Sequence, residues 1–276
     1  MRASHADAAA PRPDAAAPRP DAAAGGHVAG RARRTAEVWI VLGLSLGQSA
    51  VYSVISLLAK LTQGPLAQQR ATLNPSQSPR PYLDLTYQLA DIAFTLVPVA
   101  LAVWLLAGDG STEPVARRLG LDRRSPLADV GVGVLLAAVI GLPGLGLYLV
   151  GHALGITVTV VPEALNQYWW TLPVLVLQAV KNAVLEEVVV VGYLVTRLRQ
   201  LGVAPWAATG LSALLRGAYH LYQGFGPFLG NAIMGLVFAE WFRRRGRVLP
   251  LIVAHFVLDT VSFVGYDVLK PVLHLP

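Results

Sequence analysis

Three apolar stretches in the last third of the chain carry ionisable residues at helical spacing. Asn182, Glu186 and Glu187 fall inside Lys-Asn-Ala-Val-Leu-Glu-Glu-Val-Val-Val-Val-Gly; Arg216 and His220 stand four residues apart, as do His255 and Asp259. Four residues is about one helical turn, so each such pair shares one face of a helix. An ionised side chain at a bilayer centre costs at least about 2.5–3.5 kcal/mol on insertion scales, so such groups need a reason. The chemistry they suit is hydrolysis. A carboxylate kept from bulk water works as a general base, a histidine shares the proton transfer, and a second histidine donates to the developing oxyanion. The structural alternative is interhelical glue, with Arg216 on Glu187 and His255 on Asp259. Asp91 stands alone and reads as glue, while Lys181 is left open between a structural and a substrate-contact role.

The elements that must position these residues are membrane helices. Of 276 residues, 54% are hydrophobic and only 14% charged, and the mean hydropathy is +0.53. A soluble chain of this size cannot hide so much apolar surface, so the solvent is lipid. The expected fold is an all-α polytopic bundle with seven spans, near 37–60, 85–107, 127–151, 171–196, 203–222, 226–242 and 247–268. An eighth, short or re-entrant helix within 152–170 is the alternative. Residues 1–36 form a polar Ala/Pro/Arg/Asp-rich tail with a seven-residue repeat. It cannot offset its ordering entropy by burial and is expected to be disordered, ahead of one transmembrane domain over 37–276.

Charge position sets the expected topology. With the N-terminus cytoplasmic, sixteen Lys and Arg fall inside and four outside. That is the positive-inside pattern. The net charge of +6 belongs to those loops and to anionic headgroups, not to nucleic acid, because no basic face is interleaved with aromatics. The absence of cysteine excludes disulfides, thiolate metal sites and a cysteine nucleophile. Residues 112–126 read either as a short amphipathic element on the cytoplasmic surface or as a solvated basic loop. Gly226, Gly230 and Gly235 put small residues on the sixth segment, which permits close helix packing.

The polar residues of 171–268 resemble the CPBP intramembrane proteases (CAAX proteases and bacteriocin-processing enzymes, often described as metalloproteases). The family motif Glu-Glu-x-x-x-Arg is matched by Glu186-Glu187, Phe-x-x-x-His by the His220 end of Arg216-Gly-Ala-Tyr-His, and His-x-x-x-Asn/Asp by His255-Phe-Val-Leu-Asp259. The resemblance implies an intramembrane endopeptidase in which Glu186 and His220 activate water, with Glu187 and Asn182 beside them. His255 and Asp259 would face the oxyanion. An ionised Asp only accepts hydrogen bonds, so Asp259 is expected to act by fixing the His255 ring. Two positions depart from the pattern: Val191 stands where the motif has arginine, and Arg216 where it has phenylalanine. They are read as one exchange, the counter-charge of Glu187 having moved to the next helix.

No cofactor is expected to be required. Zinc fits a ligand set of Glu186, His220 and His255, but the His-Glu-x-x-His pattern of zinc proteases is absent. The expected partners are the bilayer and a membrane-associated peptide or protein. The Ala/Arg/Pro/Gly-rich composition points to a bacterial plasma membrane. Two other classes stay open: an inactive membrane-binding or immunity protein, and a proton-coupled transporter using the same carboxylates and histidines.

Overall fold

The computed structural model describes residues 20–273, with side chains from residue 30 to 268. Residues 1–19 of the expected tail lie outside the described residues, and helix extends upstream of Glu37. Helix α1 covers Pro20–Gly43 and α2 covers Leu46–Gln63, with a bend of 52° between them. Gly43 and Ser45 lie at the break, and Ser45 Oγ turns back to donate to the Val41 carbonyl at 2.6 Å. Such Gly/Ser pairs are a common cause of sharp kinks.

Helix α3 (Pro81–Thr95) continues through one residue into α4 (Val97–Ala107), and the short α5 (Val115–Arg118) follows. Helix α6 covers Pro126–Ala153. Helix α7 (Thr171–Glu186) runs through a π-helical segment, Glu187–Tyr193, into α8 (Leu194–Gln200). Helices α9 (Pro205–Ala218), α10 (Phe225–Arg245) and α11 (Leu249–Leu273) complete the bundle.

Among the described residues four helical segments are long and apolar enough to cross a membrane: Pro81–Ala107, Pro126–Ala153, Phe225–Arg245 and Leu249–Val268. The bent pair α1–α2 makes a fifth if it counts as one span. Seven is more than length and apolarity support. The expected span 203–222 contains a helix of only 14 residues. At 1.5 Å per residue that is about 21 Å, short of a hydrocarbon core of about 30 Å. No eighth helix forms in 152–170. That segment holds a strand, β2 (Thr159–Val161), which pairs in parallel with β1 (Arg70–Thr72), Arg70 opposite Thr159 and Thr72 opposite Val161. The bundle is therefore helical with a small sheet outside the helices. Of the basic stretch 112–126, only α5 and Pro126, the first residue of α6, are helical, and Leu119 just after α5 is buried in the core.

Small residues set the helix spacing. Any Cβ on Gly235 would stand 2.8 Å from Ala213 Cα, and one on Gly133 would meet Val253 at 2.6 Å. These glycines let α10 close on α9, and α6 on α11, as small residues do in membrane bundles. The main core joins Val188–Val191 to Phe238, Leu251 and Ala254.

The end carrying α8 and the α10–α11 turn is riveted by ion pairs. Arg197, almost fully buried, meets Glu37 at 3.0 Å and Asp109 at 3.6 Å. Arg118 meets Asp109 at 2.7 Å, and its hydrogen bond, joined by one from Gln200, holds the Asp109 carboxyl down to about 2. Arg247 pairs with Asp122 at 2.9 Å and Asp129 at 2.6 Å. Several arginines of the topology count thus also join helices.

The opposite end carries the sheet, which braces the turn after α9. Val158 N donates to Gln223 O at 3.1 Å, and Phe225 N to Ile156 O at 2.9 Å. Between them Gly224 adopts φ +104°, where a Cβ would stand 2.6 Å from Ile156 O. Only glycine holds this conformation without strain. Gly224→Ala is expected to cost about 1–3 kcal/mol, read as a lower thermal midpoint of the detergent-solubilised protein. An unchanged midpoint would show that the turn relaxes freely.

Candidate active site

Glu186 ends α7 and Glu187 opens the π segment. A π turn takes in an extra residue per turn, and such turns gather at functional sites because they let adjacent side chains face one interior. Both glutamates point inward here, with Glu186 8% and Glu187 0% exposed. The run of valines after them, Val188–Val191, is buried throughout and locks the segment against α4, α9 and α10.

Arg216 reaches across from α9. Its Nη2 donates to Glu187 Oε1 at 2.5 Å and its Nη1 lies 3.6 Å from Glu186 Oε2, with the guanidinium 5.3 Å from the Phe238 ring centre. The counter-charge expected for Glu187 is therefore present, delivered from a different helix than the family motif uses. Val191 is fully buried among apolar neighbours.

His255 on α11 meets the same carboxylate. Its Nδ1 lies 2.7 Å from Glu187 Oε1 and 4.0 Å from Glu186 Oε2, while Nε2 is 3.7 Å from Asp259 Oδ1. A carboxylate can only accept, so Nδ1 carries the proton. The ring is thus fixed by Glu187 across the helix interface. Asp259, expected to orient it, is beyond hydrogen-bond distance and is itself held by Asn182 Nδ2 at 3.0 Å.

His220 departs furthest from expectation. It lies two residues past the end of α9, in the turn braced by the sheet, not on the face of a spanning helix. Its Nδ1 donates to the Arg216 carbonyl at 2.9 Å, which leaves Nε2 unprotonated in the neutral ring. The turn also carries Tyr219, whose hydroxyl reaches Glu186, so His220 is the chain neighbour of a residue bonded to that carboxylate.

Two residues had no signal in the sequence. Tyr219, next to His220, donates its hydroxyl to Glu186 Oε2 at 2.7 Å. Ser53 on α2 donates to the Tyr219 carbonyl at 2.7 Å and so ties α2 to the site turn. A tyrosine beside a histidine and a serine in an apolar helix look ordinary until the fold brings them in. Oε2 of Glu186 is thus occupied, whereas Oε1 accepts no hydrogen bond among the described residues.

By distance alone Glu186, Glu187 and His255 could share a metal ion, their ligand atoms lying within 4.8 Å of one another. His220, in the expected zinc set, is not one of that group. The donors as arranged fit an ion poorly. His255 Nδ1 and Glu187 Oε1 are spent on each other, and the Arg216 cation stands 2.5 Å from that oxygen.

Residues 168–261, about a third of the chain, match the family model described as Type II CAAX prenyl endopeptidase Rce1-like. The match supports the CPBP/CAAX intramembrane protease family. It takes in every residue of the site from Asn182 to Asp259. No curated protein and no solved structure matches the chain. The matched segment is similar to that family, and Asp259, at the third of the motif positions, meets the site through Asn182.

Arg216→Ala would leave Glu187 buried and charged without its cation, a loss of about 3–5 kcal/mol. Thermal unfolding in nanodiscs is the measurement, and moving the cation back with Val191→Arg and Arg216→Phe is expected to recover most of it. An unaltered midpoint in Arg216→Ala would mean that the pair contributes nothing.

Proposed function

We propose that the protein is an intramembrane endopeptidase that hydrolyses peptide bonds of membrane-associated peptides with a glutamate-activated water. The observation that carries this is the asymmetry of Glu186. Oε2 is pinned by Tyr219 and Arg216, while Oε1 is uncommitted and the unprotonated Nε2 belongs to the neighbouring His220. A pinned carboxylate with one free oxygen is a positioned general base.

Water held between Glu186 Oε1 and His220 Nε2 gives up a proton to the carboxylate as its oxygen bonds to the scissile carbonyl carbon. The carbonyl π electrons move to oxygen. That oxyanion takes hydrogen bonds from His255 Nε2 when the ring carries both protons, and from the Arg216 side of the site. Collapse of the intermediate breaks the C–N bond, and Glu186 returns the proton to the leaving amine. Glu187 takes no part in the proton transfer. It accepts from Arg216 and His255 together and keeps both in place.

The arginine asymmetry of the loops supports a cytoplasmic N-terminus, and the composition supports a bacterial plasma membrane. The substrate class implied is a peptide or protein segment that lies at the bilayer. The family model's description names prenyl endopeptidases, and a lipidated peptide is one such segment.

Purified protein in nanodiscs, offered a mixed library of membrane-associated peptides, is expected to cut some of them. Glu186→Gln and His220→Ala should each lower kcat/KM by about 10²–10⁴ at unchanged fold, and chelator should have no effect. Cleavage abolished by chelator would replace the glutamate reading by a metal-dependent one. No cleavage by a folded protein would favour a binding or transport role.

A further inference from the structure

A cavity of about 150 Å³ lies at the end that carries α8, between α1, the end of α4 and Arg197, and it shares no residue with the Glu186 site. Three of the groups that line it are guanidiniums: Arg33, Arg34 and Arg197. Two are carboxylates, Glu37 and Asp109, and both are already answered. Glu37 Oε1 accepts from Arg33 Nε at 2.9 Å, and its Oε2 lies 3.0 Å from Arg197 Nη2. Asp109 accepts two hydrogen bonds from Arg118, at 2.9 and 2.7 Å, and one from Gln200 at 3.0 Å. With Arg118 counted, four cations stand against two anions, an excess of two positive charges. The excess sits on identifiable groups. Arg34 is partly buried yet has no ion pair or hydrogen bond among the described residues. Arg197 is 1% exposed, and its Nε has no hydrogen-bond partner among the described residues. An unpaired guanidinium and a buried donor without an acceptor both favour bringing an anion in.

The cavity also lies at the edge of the apolar surface. The span Pro81–Ala107 ends at its wall, where Gly108 and Asp109 line it. On α1 the exposed residues change from Arg31 and Arg33 to Trp39, Ile40 and Leu44, and the lining residues Arg33, Arg34 and Glu37 fall at that change. An exposed tryptophan stands just inside the cavity on each helix: Trp39 follows Glu37 by two residues, and Trp104 precedes Leu105. Tryptophan gathers at the membrane–water boundary, the level of lipid headgroups. Basic pockets between helices at that level suit headgroup phosphates, and the planar guanidinium fork matches phosphate oxygens.

We propose that this cavity binds a phosphate group, that of an anionic lipid headgroup, with Arg34 as its main partner and Arg33 and Arg197 beside it. A lipid seated there bridges α1 to α4 and α8, the elements that Glu37, Asp109 and Arg197 already join. Its acyl chains leave past Trp39 and Trp104 into the bilayer. Occupancy is measured without turnover, because no residue of the cavity belongs to the Glu186 site.

The test uses the full protein, delipidated in maltoside micelles and titrated separately with phosphatidylglycerol, phosphatidylcholine and inorganic phosphate. Native mass spectrometry counts bound lipid, and the thermal midpoint reads its effect. Phosphatidylglycerol is expected to saturate a site, to bind more tightly than phosphatidylcholine and to raise the midpoint, with inorganic phosphate doing neither. Arg34→Gln should weaken phosphatidylglycerol binding about fivefold, the scale of one basic side chain at an anionic headgroup. Arg31→Gln removes the same charge from an exposed neighbour outside the cavity and should leave binding unchanged. Arg33→Gln takes away a lining cation and bares Glu37, so it should weaken binding at least as much, which covers the case of Arg34→Gln failing to fold. Equal losses in Arg31→Gln and Arg34→Gln, or equal binding of the two lipids, would reduce the cavity to part of a diffuse basic surface and overturn the site. Displacement of phosphatidylglycerol by inorganic phosphate, with the same dependence on Arg34, upholds a phosphate site and overturns the lipid as its source.

Discussion

The Glu187–Arg216 pair is the constraint on which the site hangs. Both side chains are fully buried, among valines and against Phe238, where an unpaired charge would cost several kcal/mol. The pair is tolerable only if the geometry is tight and the remaining donors and acceptors are used. That demand fixes α7 relative to α9. Because Glu187 Oε1 also takes His255 Nδ1, it fixes α11 as well. Three helices are thus registered by one oxygen atom. Satisfaction is incomplete: Glu187 Oε2, Arg216 Nε and Arg216 Nη1 have no hydrogen-bond partner among the described residues.

The π segment is what makes the arrangement reachable from a single helix. Two consecutive residues on an α-helix differ by about 100° in direction, so adjacent glutamates would face different neighbours. Starting the wider turn at Glu187 brings both carboxylates to Arg216, at 2.5 and 3.6 Å, without breaking the hydrogen-bonded rod. A run of β-branched valines then fills the wider turn. These residues are poor helix formers by propensity, and their retention here is a packing choice, since all four are buried.

How much of this was legible in the sequence depended on the kind of signal. Charge inside an apolar run is a strong one, and it picked out Glu186, Glu187, Arg216, His255 and Asp259, which the fold does bring together. The Arg216–Glu187 pairing was legible too, because a displaced counter-charge has few places to go. Partner choice among neighbours was not. His255 and Asp259 at one-turn spacing suggested a local pair, but 3.7 Å along the helix loses to 2.7 Å across it. Sequence spacing knows only the first of these distances. Helix length misled for the same reason: 203–222 is apolar enough to read as a span, but the chain turns after Ala218 because Gly224 and the parallel strands hold the next residues outside a helix. The strands are three residues each and carry no periodicity to detect. Asp91 stands alone in the sequence because Lys181, to which it is paired between α3 and α7, lies 90 residues away.

The contrast between the two adjacent glutamates bears most directly on function. Glu187 is sealed, and one of its oxygens is shared by two cationic or donor groups, which leaves it little freedom to exchange a proton. Glu186, one residue earlier, is slightly open, has one oxygen tied down by a tyrosine and the other uncommitted. If both acids were glue, the second would be expected to be as closely paired as the first, because an uncommitted carboxylate oxygen at this depth is a cost with no structural return. The turn that carries Tyr219 and His220 is braced by Ser53, by the β-pair and by a strained-only-for-others glycine, all of which hold it against Glu186. Three separate elements fixed around an oxygen that accepts no hydrogen bond among the described residues support the proposed reading of Glu186 as base and Glu187 as its frame.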